Sequence, residues 1–176
     1  MKQSVNFLIA VWLVLLVGVV PGVYAEQPSD STSVVIYEPI GGLVYGMGRI
    51  AAFKQLGVKP ALGEIGMSGM TGAYYQVADF TSLGVSLTLI SYSETAPQEV
   101  DAISVVAPST LKTQRGIHIG SSEADVIAAY KAEYSKDDSE AGARVVVGNI
   151  YAGALYFSIE HGKVVEISVA SGQELN

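Results

Sequence analysis

The second half of the chain carries the plainest pattern of apolar and polar positions. Leu155, Phe157 and Ile159 alternate with Tyr156, Ser158 and Glu160, and Val165, Ile167 and Val169 alternate with Glu166 and Ser168. A period of two predicts strands with one apolar face. His161-Gly162 between the runs predicts a two-residue hairpin turn, and the β-branched stretch from Arg144 to Ile150 predicts a strand before them. Upstream the period changes. Ser122 and Asp125 have the spacing of a capping box, and Val126, Ile127, Tyr130 and Tyr134 fall on one face of a helix. That helix is expected to end near Ser135, where the polar run 136–142 begins.

The first half follows the same plan. A short helix from Arg49 to Leu56 is stopped by Gly57, with Pro60 behind it. Strands are predicted near Ala73–Asp79, Val85–Ile90 and Val100–Val106; Val85, Leu87 and Leu89 point one way, Ser86 and Thr88 the other. Residues 63–72 are either a strand broken by glycines or a loop. Ser33 to Glu38 is a candidate for an extra strand.

The halves also resemble each other. Residues 49–54 (RIAAFK) resemble 126–131 (VIAAYK) at an offset of 77, and Ile103-Ser104-Val105 matches Ile167-Ser168-Val169 at an offset of 64. Between them GVSLTLI (84–90) resembles GALYFSI (153–159). Two copies follow, about 34–108 and 109–171, within a single domain of residues 34–176. The fold class expected is α+β: two α-β-β-β repeats forming an antiparallel sheet, with short helices packed on one face.

One stretch resembles a known family. TQRGIHIGSSEADVIAAY (113–130) is similar to the motif that opens each repeat of the beta-lactamase-inhibitor-protein-like (BLIP-like) group, with Thr113, Gly116, Ile117, Ile119, Gly120, Ser122, Val126 and Tyr130 at matching positions. The resemblance implies a helical segment on an antiparallel sheet, often in tandem, serving as a binding module and not as an enzyme. Lys131 stands where the family usually has glycine, and the first copy lacks the Gly-Ile-x-Ile-Gly opening. The family's outer-membrane assembly lipoprotein is anchored through a cysteine, and this chain of 176 residues has no cysteine.

Residues 1–25 change the picture of where the protein works. Lys2 precedes an apolar run of 14 from Phe7 to Val20, then Pro21-Gly22, then Val23-Tyr24-Ala25 before Glu26. That order predicts a cleaved secretory signal peptide, and the run falls short of the ~20 apolar residues of a membrane span. A polar leader, 26–33, follows it. The expectation is a secreted or periplasmic bacterial protein with no membrane span in the mature chain. Trp12, the sole tryptophan, would leave with the signal. Ten basic against seventeen acidic residues, net −7, argue against nucleic acid as a partner.

Candidate chemistry is sparse. Gly46-Met47-Gly48-Arg49-Ile50-Ala51 fits G-x-G-x-x-A, but β-α-β units are not predicted around it, and a tight turn into a helix is the plainer reading. Gly66-Met67-Ser68-Gly69 has the wrong glycine spacing for a nucleophile elbow. His118 and His161 are 43 residues apart and read as surface histidines. The acidic run 137–140 lacks the alternation of a calcium loop. No catalytic, cofactor or metal residue is expected. Nine of the ten tyrosines follow the signal segment. Tyr74 and Tyr75 are adjacent, so one faces outward on a strand, and Tyr156 lies on the polar face of its own strand. With Met67 and Met70 these are the residues expected to contact a protein partner, including as an inhibitor, through an exposed sheet face. The alternative is a small-molecule or lipid carrier with an apolar pocket between helix and sheet.

Overall fold

The computed structural model describes residues 34–171; the expected signal peptide and leader lie outside them. The described residues form nine strands: β1 (Ala61–Leu62), β2 (Gly66–Met67), β3 (Tyr74–Phe80), β4 (Val85–Ser91), β5 (Glu99–Val106), β6 (Tyr134–Glu140), β7 (Arg144–Asn149), β8 (Gly153–Glu160) and β9 (Lys163–Ala170). Two helices accompany them, α1 (Arg49–Leu56) and α2 (Glu123–Ala129). The sheet runs β1-β3-β4-β5-β9-β8-β7-β6, and β2 takes the rest of the β3 edge beside β1. Every pairing is antiparallel.

This is a β-rich fold, and the expected α+β arrangement of α-β-β-β repeats with helices covering one face does not hold. Each helix makes only about two turns. The α1 helix buries Ala52 alone and α2 buries Val126 alone. The core face, formed by Phe80, Leu87, Leu89, Ile103, Phe157 and Ile167, is covered largely by irregular chain carrying Ile36, Ile40, Leu43 and Ile117. Each half is also richer in strands than expected, because β1, β2 and β6 lack the apolar alternation that marks a strand in sequence.

Local chemistry explains the element ends. Ser122 caps α2 reciprocally with Asp125, as the spacing predicts, and Gly57 closes α1 in the left-handed region. The α2 helix stops at Ala129, so Tyr134 is not on it: Arg115 Nη1 takes the Ala129 carbonyl at 2.9 Å, and Tyr134 opens β6 opposite Val147. Residues 136–139, expected as loop, bulge out of β6 between paired Ser135 and paired Glu140. The segment expected as an extra strand forms a 3-10 helix, Val34–Tyr37. Residues 63–72 form a tight hairpin around β2, closed by Ser68 N–H to Ala73 O at 2.8 Å.

Two features recur in both halves. β5 carries one extra residue, Asp101, against β4, and β9 carries one, Val165, against β8, 64 positions on. Ahead of α1, Gly46 N–H donates to Val100 O (2.7 Å) and Val100 N–H to Met47 O (2.8 Å); ahead of α2, Gly120 N–H donates to Val164 O (2.8 Å) and Val164 N–H to Ser121 O (2.9 Å). β5 and β9 meet antiparallel at mid-sheet with Ser104 opposite Ser168. Two offsets differ from the sequence reading. The helices start 74 residues apart, not 77, and Leu87 shares the core face with Phe157, one position away from its match in the alignment. A one-residue slip exchanges the faces of a strand.

Candidate functional site

The antiparallel order brings distant parts of the chain to one end of the sheet. β3 and β6 begin there, β4 and β7 end there, and the start of β5 lies between them. Tyr74 and Tyr75 open β3, Tyr92 follows β4, Tyr134 opens β6 and Tyr151 follows β7. Tyr45 is tied beside the start of β5 by the Gly46–Val100 bond, and its ring meets Tyr37 edge-on at 5.9 Å. Seven of the nine described tyrosines therefore share this end. Met70 (88% exposed), Tyr151 (85%), Tyr92 (77%), Met67 (64%) and Tyr37 (48%) stand out from it.

Met70 sits on the β2 hairpin, where Ser68 Oγ accepts from the amides of Met70 and Thr71, both at 3.3 Å. Tyr45 lies against buried Asp101, the bulge residue of β5; burial and that neighbouring charge push its phenol up to about 12. Tyr37 is followed by Glu38, a buried carboxylate that accepts from the Tyr130 hydroxyl and pairs with Arg115 Nε at 3.5 Å. Arg115 also grips Glu133 with two bonds, 2.8 and 2.9 Å, and lies 4.5 Å over the Tyr130 ring. The bidentate pair holds the Glu133 carboxyl below its ordinary value and raises Arg115. Between the start of β6 and the end of β7, a cleft of about 320 Å³ is lined by Glu133, Tyr134, Asp138, Asn149 and Tyr151 among others.

The expected contact residues divide. Met67, Met70, Tyr74 and Tyr75 come together at one corner: Met67 pairs with Tyr74, both tyrosines are half-buried, and the methionines project. Tyr156 does not join them. It lies on the face opposite the main core, as the alternation predicts, but it is only 7% exposed, packed with Val146 and Ala154. Burial raises its phenol, and the buried hydroxyl has no hydrogen-bond partner. Tyr156 is therefore not an outward anchor. Sequence reasoning missed Tyr37, Tyr92 and Tyr151 as a group, because nothing but strand order joins positions so far apart. The remaining outer face is low, formed by residues such as Ser86, Thr88, Ala102, Ser104 and Ser168. At its centre Glu166 accepts from Ser104 (2.8 Å) and Ser158 (3.2 Å).

The other candidate motifs are occupied by the fold. Gly46 N–H and Arg49 N–H donate to Val100 O and Gln98 O, so the glycine turn ahead of α1 aims those amides at β5 and away from any phosphate. His118 Nδ1 lies 3.1 Å from both Gly116 O and Ser121 Oγ. Among the described residues no group of three His, Asp or Glu is placed to hold a metal ion, and no helix is long and apolar enough to cross a membrane. The space between α2 and the sheet is filled by Val126, Tyr130 and Phe157, all fully buried, with the two rings 5.6 Å apart. Comparison with protein families, with curated proteins and with solved structures finds no match to the chain.

Proposed function

We propose that the protein is an exported, non-enzymatic binding protein of the bacterial envelope or exterior, which engages a protein partner through the tyrosine-rich end of its sheet. The observation that carries this reading is the convergence of Tyr37, Tyr92, Tyr151, Met67 and Met70, all projecting from one end of the sheet. From β3 to β7 that end crosses six neighbouring strands, about 24 Å at the usual strand spacing, the breadth of a standard interface. Tyrosine offers large, stiff contact area with a polar tip, and methionine adapts to an irregular partner. The N-terminal pattern of residues 1–25 supports export. The similarity of residues 113–130 to the BLIP-like motif supports a binding module. The recurrent bulges and helix openings support an origin from two copies of one unit.

The test is capture from the native secretome and envelope fraction, with the protein and its Tyr92→Ser/Met70→Ser/Tyr151→Ser variant as paired baits. All three side chains are largely exposed, so the variant keeps its stability to within about 0.5 kcal/mol per site. A stoichiometric protein retained by the parent and lost by the variant is the expected result. A partner held equally by both places the docking surface elsewhere.

A further inference from the structure

We propose that the tyrosine-rich end docks a cationic protein surface, one presenting arginine or lysine side chains; the inference rests on that end being the docking surface. Four segments build it: 34–48, 63–75, 91–101 and 149–153. With the start of β6, 131–138, which shares this end, they contain two lysines, Lys131 and Lys136, no arginine, and eight acids: Glu38, Glu64, Glu94, Glu99, Asp101, Glu133, Asp137 and Asp138. Glu38 is spent on Arg115 and Tyr130. Glu64, Glu94 and Glu99 are exposed, and among the described residues the ion pairs all belong to Arg115. The arginines near this end are engaged: Arg115 holds Glu38 and Glu133, and Arg49 is turned inward, its Nη1 donating to Gln98 at 2.7 Å and to Gln76 at 3.4 Å and its guanidinium lying 5.1 Å over the Phe53 ring.

The opposite end differs. Arg144 opens β7 and Lys163 opens β9 there, beside Glu140 and Glu160, and the run from Phe53 to Lys59 leads to it, since Phe53 packs on Phe80. The tyrosine end thus carries an excess of acids over bases, with Glu64, Glu94, Glu99 and Asp137 exposed. A carboxylate field steers a cationic partner into encounter, and it repels nucleic acid and anionic lipid. On contact, tyrosine ring faces take a guanidinium by cation–π attraction while neighbouring carboxylates accept its fork of donors. Exposed aromatics and unpaired carboxylates on one surface complement an arginine-bearing protein better than an apolar or acidic one.

The test uses isotope-labelled protein titrated with a short arginine-containing peptide, and with the same peptide carrying citrulline, which has the same shape without the charge. The arginine peptide is expected to shift the amides of 91–101 and 149–153. Affinity should fall about tenfold for the citrulline peptide, for the Glu94→Gln/Glu99→Gln variant, and at high salt. Equal binding of both peptides at these residues overturns the charge argument and leaves the docking surface standing. Shifts confined to another surface overturn both readings. An arginine peptide that shifts nothing overturns the cationic partner alone, because the capture experiment judges the surface independently.

Discussion

Tyr156 is buried among Val146 and Ala154 with a hydroxyl that bonds to nothing. A buried, unpaired polar group costs about 1–3 kcal/mol, so Tyr156→Phe is expected to leave the melting temperature unchanged or raise it; a loss in thermal unfolding would reveal a bond that this account lacks. Arg115 makes the opposite case. Its pairing lowers the Glu133 carboxyl, so this stabilisation is complete above the ordinary value of 4.5 and is lost as pH falls through the depressed one. Arg115→Gln should cost about 2 kcal/mol at neutral pH and flatten the acid side of the stability profile, measured by urea unfolding at stepped pH. At high pH the sign reverses. Tyr45, raised to about 12, keeps its proton in the folded state where the unfolded chain ionises near 10. Its contribution is full below 10 and fades as pH climbs toward 12.

At the scale of elements, glycine and capping chemistry set the boundaries. Gly84 turns the chain into β4 at φ +61°, and a Cβ there would stand 2.2 Å from Val106 O. Gly84→Ala is therefore expected to destabilise by more than the ~1 kcal/mol of losing the Ser122 cap through Ser122→Ala; denaturant midpoints of the two variants decide the order. The elements that sequence made legible are those whose signals are local. Arg49–Leu56, with its glycine stop, and the Ser122–Asp125 box appear where the residues place them. So do the strands with a clean period of two. β6 was not legible, because its residues are polar on both sides and pair only through the β7 edge. The spacing of Tyr134 fits the helix, but the Arg115 bond to Ala129 O, where the helix ends, comes from 14 residues upstream.

For the whole molecule, strand order makes the site. Tyr74, Tyr75, Met67 and Met70 could be grouped from sequence because they are neighbours along the chain. Tyr37, Tyr92 and Tyr151 could not, since their proximity depends on which strands begin and end together. Tyr156 was misjudged because alternation assigns a face and says nothing of what covers it. On the proposed function, the partner sits at the tyrosine-rich end. The direct measurement is site-specific photo-crosslinking in the producing cells, with the reactive residue placed singly at Tyr92, at Tyr151, at outer-face Ser104 and at Glu160 on the far end. One discrete crosslinked species is expected from Tyr92 and Tyr151 and none from Glu160. A crosslink from Ser104 or Glu160, with Tyr92 and Tyr151 silent, would contradict the proposed function.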